Sequence, residues 1–159
     1  MTPTFAWIVK HPARFIAFGA GSGLLRPAPG TWGTLFAWAS FGPVTAGLSG
    51  VAVLWAPLGA FLIGVWACDK AARDMGVADP GGIVWDEVAA FWLVLALLPD
   101  SFEAQLAGFV LFRLFDIVKP QPIRYFDANL KNGFGVMFDD TLAAFYAVLV
   151  VAFWQRLAG

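Results

Sequence analysis

The chain has 159 residues, 60% of them hydrophobic and only 13% charged, with a formal net charge of −1 and a mean hydropathy of +0.73. Soluble domains carry about 25% charged residues, so the excess apolar surface must face lipid, and the near-neutral balance gives no footing for nucleic acid. The lone cysteine, Cys68, excludes an internal disulfide, and with a single histidine, His11, there is no cluster of the kind that holds zinc.

In chain order, residues 1–30 read as a mixed head. Phe5, Trp7, Ile8, Phe15, Ile16 and Phe18 alternate with Lys10, His11 and Arg14, the pattern of an interfacial segment with its basic groups among lipid headgroups. The same charges interrupt the apolar run that a cleaved signal peptide needs. Gly19, Gly21, Gly23, Pro27, Pro29, Gly30 and Gly33 then break any regular helix. They miss the dinucleotide-binding spacing, because Leu24 stands where the third glycine belongs.

No charged residue occurs from Pro27 through Cys68. That is room for two membrane spans of about 17 to 25 residues each, expected near 33–48 and 51–68 with a turn at Gly47, Ser49 and Gly50. A polar loop over 69–85 follows, and Asp79, Pro80, Gly81 and Gly82 mark its turn. A third span is expected from Asp86 to Pro99 and a fourth from Phe102 to Val118, stopped by Pro120 and Pro122. After a second polar loop, a fifth span is expected from Val136 to Phe153. The expected fold is all-α: a single domain over 1–159, a multi-pass membrane bundle of about five embedded helices behind an N-terminal interfacial segment. With the head inside, nine of the ten Lys and Arg fall on the cytoplasmic side and only Arg156 falls outside, as the positive-inside rule requires.

That topology brings the carboxylates of spans three, four and five to one membrane depth. Two acidic doublets stand out, Asp86–Glu87 and Asp139–Asp140, with Asp116 from span four. A charge at the bilayer centre costs about 2.5–3.5 kcal/mol, so such groups need either solvent at a helix N-terminus or a partner. Converging carboxylates repel unless a cation neutralises them, and Mg2+ is the hard cation held by carboxylates, water and substrate phosphate. Arg113, Asp116 and Lys119 share a helix face at spacings of three. They form an ion-pair ladder or, beside an acidic cluster, a clamp for phosphate oxygens, Arg by its planar fork and Lys as a point charge. Arg124 follows in the next loop. Thr31, in APGTWGT, is placed to cap the first span and leave backbone N–H groups open to an anion. Asp69, Asp74 and Asp79 read as solvated loop residues.

Carboxylate metal ligands with basic clamps are the parts for metal-assisted phosphoryl transfer. Other phosphatase chemistries lack their residues. Cys68 has Asp74 where a cysteine phosphatase needs Arg, one histidine cannot serve a histidine-dependent lipid phosphatase, and neither Asp-x-Asp nor Asp-Asp-x-x-Asp occurs. The spaced signature of CDP-alcohol phosphatidyltransferases is also absent.

RPAPGTWGTL, GGIVWDEVAAFW, FRLFDIVKPQPIRYFD and GFGVMFDDTLAA, which together span about Gly21 to Ala144, resemble the signatures of the phosphatidylglycerophosphatase A family, with no departure at the acidic or basic positions. The resemblance implies a Mg2+-dependent phosphatase of the bacterial inner membrane that cleaves phosphatidylglycerophosphate to phosphatidylglycerol and inorganic phosphate. On this reading Asp86, Glu87, Asp139 and Asp140 hold the metal, Lys119 and Arg113 neutralise the phosphoryl oxygens, and Arg124 and Thr31 reach the rest of the headgroup. The catalytic set is Asp86, Glu87, Asp116, Asp139 and Asp140, at the cytoplasmic face. The residue types fit attack by water and by a carboxylate alike. A phosphatase for another lipid phosphomonoester and a non-catalytic anionic-lipid-binding protein are the competing readings, and the oligomeric state is open.

Overall fold

Short polar caps set the N-terminal head. In the computed structural model, which describes residues 2–77 and 80–159, Thr4 caps helix α1 (Phe5–Ile8) and the His11 ring nitrogen accepts from the Ala13 N–H to cap α2 (Pro12–Ala17). His11 is thus a helix cap. Arg14 on α2 lies 4.3 Å over the Trp7 ring and pairs with Asp74 at 2.9 Å, which ties the head to the bundle.

Helix α3 (Pro29–Val44) starts four residues before the expected Gly33, because Pro29 occupies the first turn, where its missing N–H costs nothing. Its N-cap is Ala28 in a left-handed conformation, so Thr31 lies inside the helix and does not cap it. A 3-10 turn, Gly50–Leu54, leads into α4 (Trp55–Met75), which ends on a left-handed Gly76. The loop expected from residue 69 is instead two more turns of α4, bridged by Lys70–Asp74 at 2.5 Å and Arg73–Asp69 at 3.1 Å. Asp69 and Asp74 are therefore paired helical residues; Asp79 lies outside the described residues.

Helix α5 (Trp85–Leu97) is the centre of the bundle. Val88, Ala89, Ala90, Phe91, Trp92, Val94 and Leu95 are all buried, and α3, α4, α6 and α8 pack around them. Two indole N–H groups fix its position: Trp85 donates to the Ala60 carbonyl of α4 at 2.8 Å and Trp92 to the Ala37 carbonyl of α3 at 3.0 Å. Ser101 caps α6 (Phe102–Val118). A short helix, α7 (Ile123–Asn129), forms within the expected loop. Helix α8 (Gly133–Ala158) is capped by Asn132 and begins three residues before the expected Val136, so Asp139 and Asp140 lie in its second turn.

The described residues hold only helices, turns and irregular segments, and two helical stretches among them, Gly50–Met75 and Gly133–Ala158, are long and apolar enough to cross a membrane. At about 1.5 Å per residue, the 13 residues of α5 and the 16 of α3 fall short of a bilayer core of about 30 Å. The outer faces are apolar: Leu106, Val110, Leu114 and Ile117 make an exposed stripe along α6, and Leu149, Phe153 and Leu157 another along α8. The head, the C-terminal ends of α4 and α6, and the N-terminal ends of α3, α5 and α8 meet at one end of the bundle, and most of the charge is there.

Candidate functional site

Asp86 and Glu87 sit in the first turn of α5, where the free N–H groups and the helix dipole favour negative charge. Asp140 comes from the second turn of α8, beyond that help. Carboxylate oxygens of these three residues lie within 4.8 Å of one another. All three are largely buried: Asp86 is 8% exposed and Asp140 2%, and the Glu87 side chain 12%. These three are therefore not exposed helix ends.

Among the described residues, Asp86 Oδ1, Glu87 Oε2 and Asp140 Oδ2 are buried without a hydrogen-bond partner. Three buried carboxylates this close repel one another strongly when ionised unless a cation shares them. Hard oxygen donors with lone pairs to spare fit a divalent cation, and the trio could hold one. Asp139 is buried beside them but lies outside this trio.

A cavity of about 160 Å3 opens over the cluster, and Asp86, Glu87, Asp116, Lys119, Asp127, Asp139 and Asp140 contribute to its walls. The predicted acidic residues thus converge, from α5, α6 and α8. Lys119 is the one Lys or Arg lining this cavity among the described residues, its Nζ 3.4 Å from Asp116 Oδ1. Burial alone would lower the Lys119 ammonium, but Asp116, then Asp140, Asp127 and Asp139 outweigh it and raise it above the usual lysine range. It stays protonated. Lys119 also closes α6 in a left-handed conformation (φ 53°), where glycine is usual and a side chain costs about 1 kcal/mol. Such strain is typical of positions where the side chain itself is needed.

Arg113 stands behind the cavity. It pairs with Asp116 and reaches Glu87 Oε1 at 3.8 Å, so it holds two carboxylates of the cluster in place. The start of α3 joins here through Gly30. A Cβ on Gly30 would come within 2.9 Å of Glu87 Oε1 and 3.0 Å of Arg113 Nη2, so a side chain here would push those two tips out of place. Thr34 fixes that turn by donating to the Gly30 carbonyl at 2.7 Å. Gly30, and not Thr31, is therefore the contact that the APGTWGT segment supplies. Arg124 is exposed on α7 and is not part of the cavity wall.

Sequence reasoning missed Asp127 and Gly30. Asp127 is legible only as one more charge in a charge-rich stretch, and only the fold of α7 turns it inward. A PGT turn before an apolar helix hints at a close approach without naming what is approached.

A family profile described as phosphatidylglycerophosphatase A matches residues 15–155. The chain is 52% identical over 144 residues to the phosphatidylglycerophosphatase A of Haemophilus influenzae, covering 89% of this chain and 87% of that protein. It is 40% identical over 149 residues to the protein of the same name from Escherichia coli, covering 91% and 84%. A Bacteroides thetaiotaomicron protein, provisionally named phosphatidylinositol-3-phosphatase, is 38% identical over 151 residues, covering 91% and 94%. No solved structure matches the chain significantly.

Proposed function

The chain belongs to the phosphatidylglycerophosphatase A family, and on that premise we propose that it hydrolyses the terminal phosphomonoester of phosphatidylglycerophosphate, giving phosphatidylglycerol and inorganic phosphate in phospholipid synthesis. The observation that carries the reading is the convergence of three buried carboxylates and Lys119 on one cavity at the charged end of an apolar bundle. A lipid phosphomonoester presents its reacting group at that depth.

Asp86, Glu87 and Asp140 are the residues that would hold Mg2+. Bound there, the ion would supply Lewis-acid stabilisation of charge on the phosphoryl group. Lys119 contacts the phosphoryl oxygens directly, being the cation at the cavity. Arg113 keeps Glu87 and Asp116 oriented from behind, and Asp116 in turn positions Lys119. Asp139 and Asp127 add negative charge to the wall and draw cations in. Arg124 and Thr31 have no part in this arrangement.

The protein acts in the inner membrane of a bacterium with the site at the cytoplasmic face, its basic residues gathered at that end and Arg156 at the other. Helices α3, α5 and α6 are embedded beside the two long helices, α5 shielded by its neighbours and α6 turning its apolar stripe to lipid.

Purified protein in detergent should release phosphate from phosphatidylglycerophosphate with Mg2+ and stop on addition of EDTA. Binding of the lipid that survives chelation, with no phosphate released under either condition, would leave a non-catalytic lipid-binding protein. The Bacteroides relative's name supports a second reading, a phosphatase for another lipid phosphomonoester. A higher kcat/KM on phosphatidylinositol 3-phosphate or phosphatidate than on phosphatidylglycerophosphate would establish it.

A further inference from the structure

A second cavity, of about 350 Å3, lies beside the acidic one, between the end of α4 and the start of α8. Ile83 and Val136 line both, so the two share a wall. Their electrostatics are opposite. Among the described residues, six carboxylates and one ammonium line the first, whereas Arg73, Lys131 and one carboxylate, Asp69, supply the charge of the second. Asp69 is already engaged, since it pairs with Arg73 and accepts from the Gly133 N–H at the head of α8 at 3.4 Å.

The two cations are held loosely. Arg73 meets Asp69 in a pair whose side chains are 69% and 39% exposed, and Lys131 stands 4.0 Å from Asp127. Exposed pairs at this spacing are worth about 0.3–0.5 kcal/mol, so either cation can turn to a stronger acceptor. The Lys131–Asp127 pair also straddles the boundary, because Asp127 lines the first cavity and Lys131 the second.

Resting on the function proposed above, we propose that this second cavity takes the phosphodiester of the substrate lipid, held by Arg73 and Lys131. Phosphatidylglycerophosphate carries two phosphates joined by one three-carbon glycerol unit. With the terminal phosphate among the carboxylates and Lys119, the phosphodiester falls a glycerol's length away and needs cations of its own. The adjoining cavity offers two. A lipid whose phosphomonoester is bonded directly to diacylglycerol cannot fill both cavities, which makes Arg73 and Lys131 positioning residues for substrate choice.

The test is phosphate release from phosphatidylglycerophosphate as the only phospholipid in neutral detergent micelles, comparing wild type, Arg73→Gln, Lys131→Gln, the double variant and Lys10→Gln. Lys10 is an exposed cation of the head that lines neither cavity. Each pocket substitution should raise KM about tenfold or more, the lower end for one lost charge-assisted hydrogen bond. The double variant should raise it further, kcat should stay within about twofold, and Lys131→Arg and Arg73→Lys should restore most of KM. Lys10→Gln should match wild type. An unchanged KM in the double variant, an equal rise in Lys10→Gln, or a fall in kcat at constant KM would each overturn the assignment while wild-type activity still upholds the function. A wild-type protein that releases no phosphate would remove both.

Discussion

The two acidic doublets look alike in sequence, each at the expected start of an apolar span, and the fold treats them differently. Asp86 and Glu87 occupy the first turn of α5, and both reach the metal-type cluster. Of the second pair, a full turn deeper in α8, only Asp140 joins them. Adjacent residues on a helix point about 100° apart. In the first doublet the longer Glu87 side chain reaches the same site as Asp86, whereas in the second both carboxylates are short and Asp139 lines the cavity without joining the trio. The first doublet also has the α5 dipole and Arg113 to offset its charge, while Asp140 shares the cavity wall with Lys119.

Asp140→Asn is the largest expected loss: kcat/KM for phosphate release should fall roughly 10³-fold, the upper range for removing one charge-stabilising group. The same substitution separates catalysis from stability. It removes like-charge repulsion from a buried site, so in EDTA the variant should melt above wild type. Conversely, Mg2+ should raise the wild-type Tm, by an amount equivalent to about 2.7 kcal/mol at a hundredfold excess over Kd, and should do so much less for the variant. Equal melting in Mg2+ and EDTA for wild type would remove the cation from the cluster.

Lys119→Gln comes next, with a loss of about 100-fold in kcat/KM, since it deletes the one cation on the cavity wall among the described residues. Lys119→Gly sharpens the point. It relieves the left-handed backbone, so thermal stability should hold or rise slightly while activity falls as far as in the Gln variant. Activity retained in the Gly variant would make Lys119 a structural residue.

Gly30→Ala should cost about tenfold in kcat/KM with little loss of stability. The added methyl meets only the flexible tips of Glu87 and Arg113, so they shift by a few tenths of an ångström and the fold survives. Because Arg113 serves Glu87 and Asp116 together, the shift acts on the first doublet and leaves the second alone.

Particular residues show how much of this was readable in advance. Pro120 and Pro122 mark the end of α6, and the acidic and basic motifs mark the site, because both are local chemistry. The extent of α4 was not readable, because Asp69, Lys70, Arg73 and Asp74 look like a polar loop until their spacing of four closes the ion pairs. Which of the five expected embedded helices are long enough to cross was not readable for a related reason: among the described residues two stretches, Gly50–Met75 and Gly133–Ala158, are long and apolar enough. An uncharged run gives apolarity but not length, and α5 is apolar because other helices surround it. Arg113 was readable as a partner of phosphate or of carboxylate, and only the approach of α3 through Gly30 places it behind the cavity. Arg124 carries the right charge at an exposed position of α7, off the cavity wall that Asp127 of the same helix lines.

The smallest effect is the most discriminating. Asp139 lines the cavity without joining the trio, so its contribution is the field of a nearby charge and not a ligand bond. Asp139→Asn should then lower kcat/KM by no more than about fivefold and shift the Mg2+ concentration for half-maximal rate modestly upward. Asp86→Asn and Glu87→Gln should instead each resemble Asp140→Asn. If Asp139→Asn proves as damaging as Asp140→Asn, the second doublet works as a unit like the first, and the helical geometry that separates them here would have to change when the cation binds.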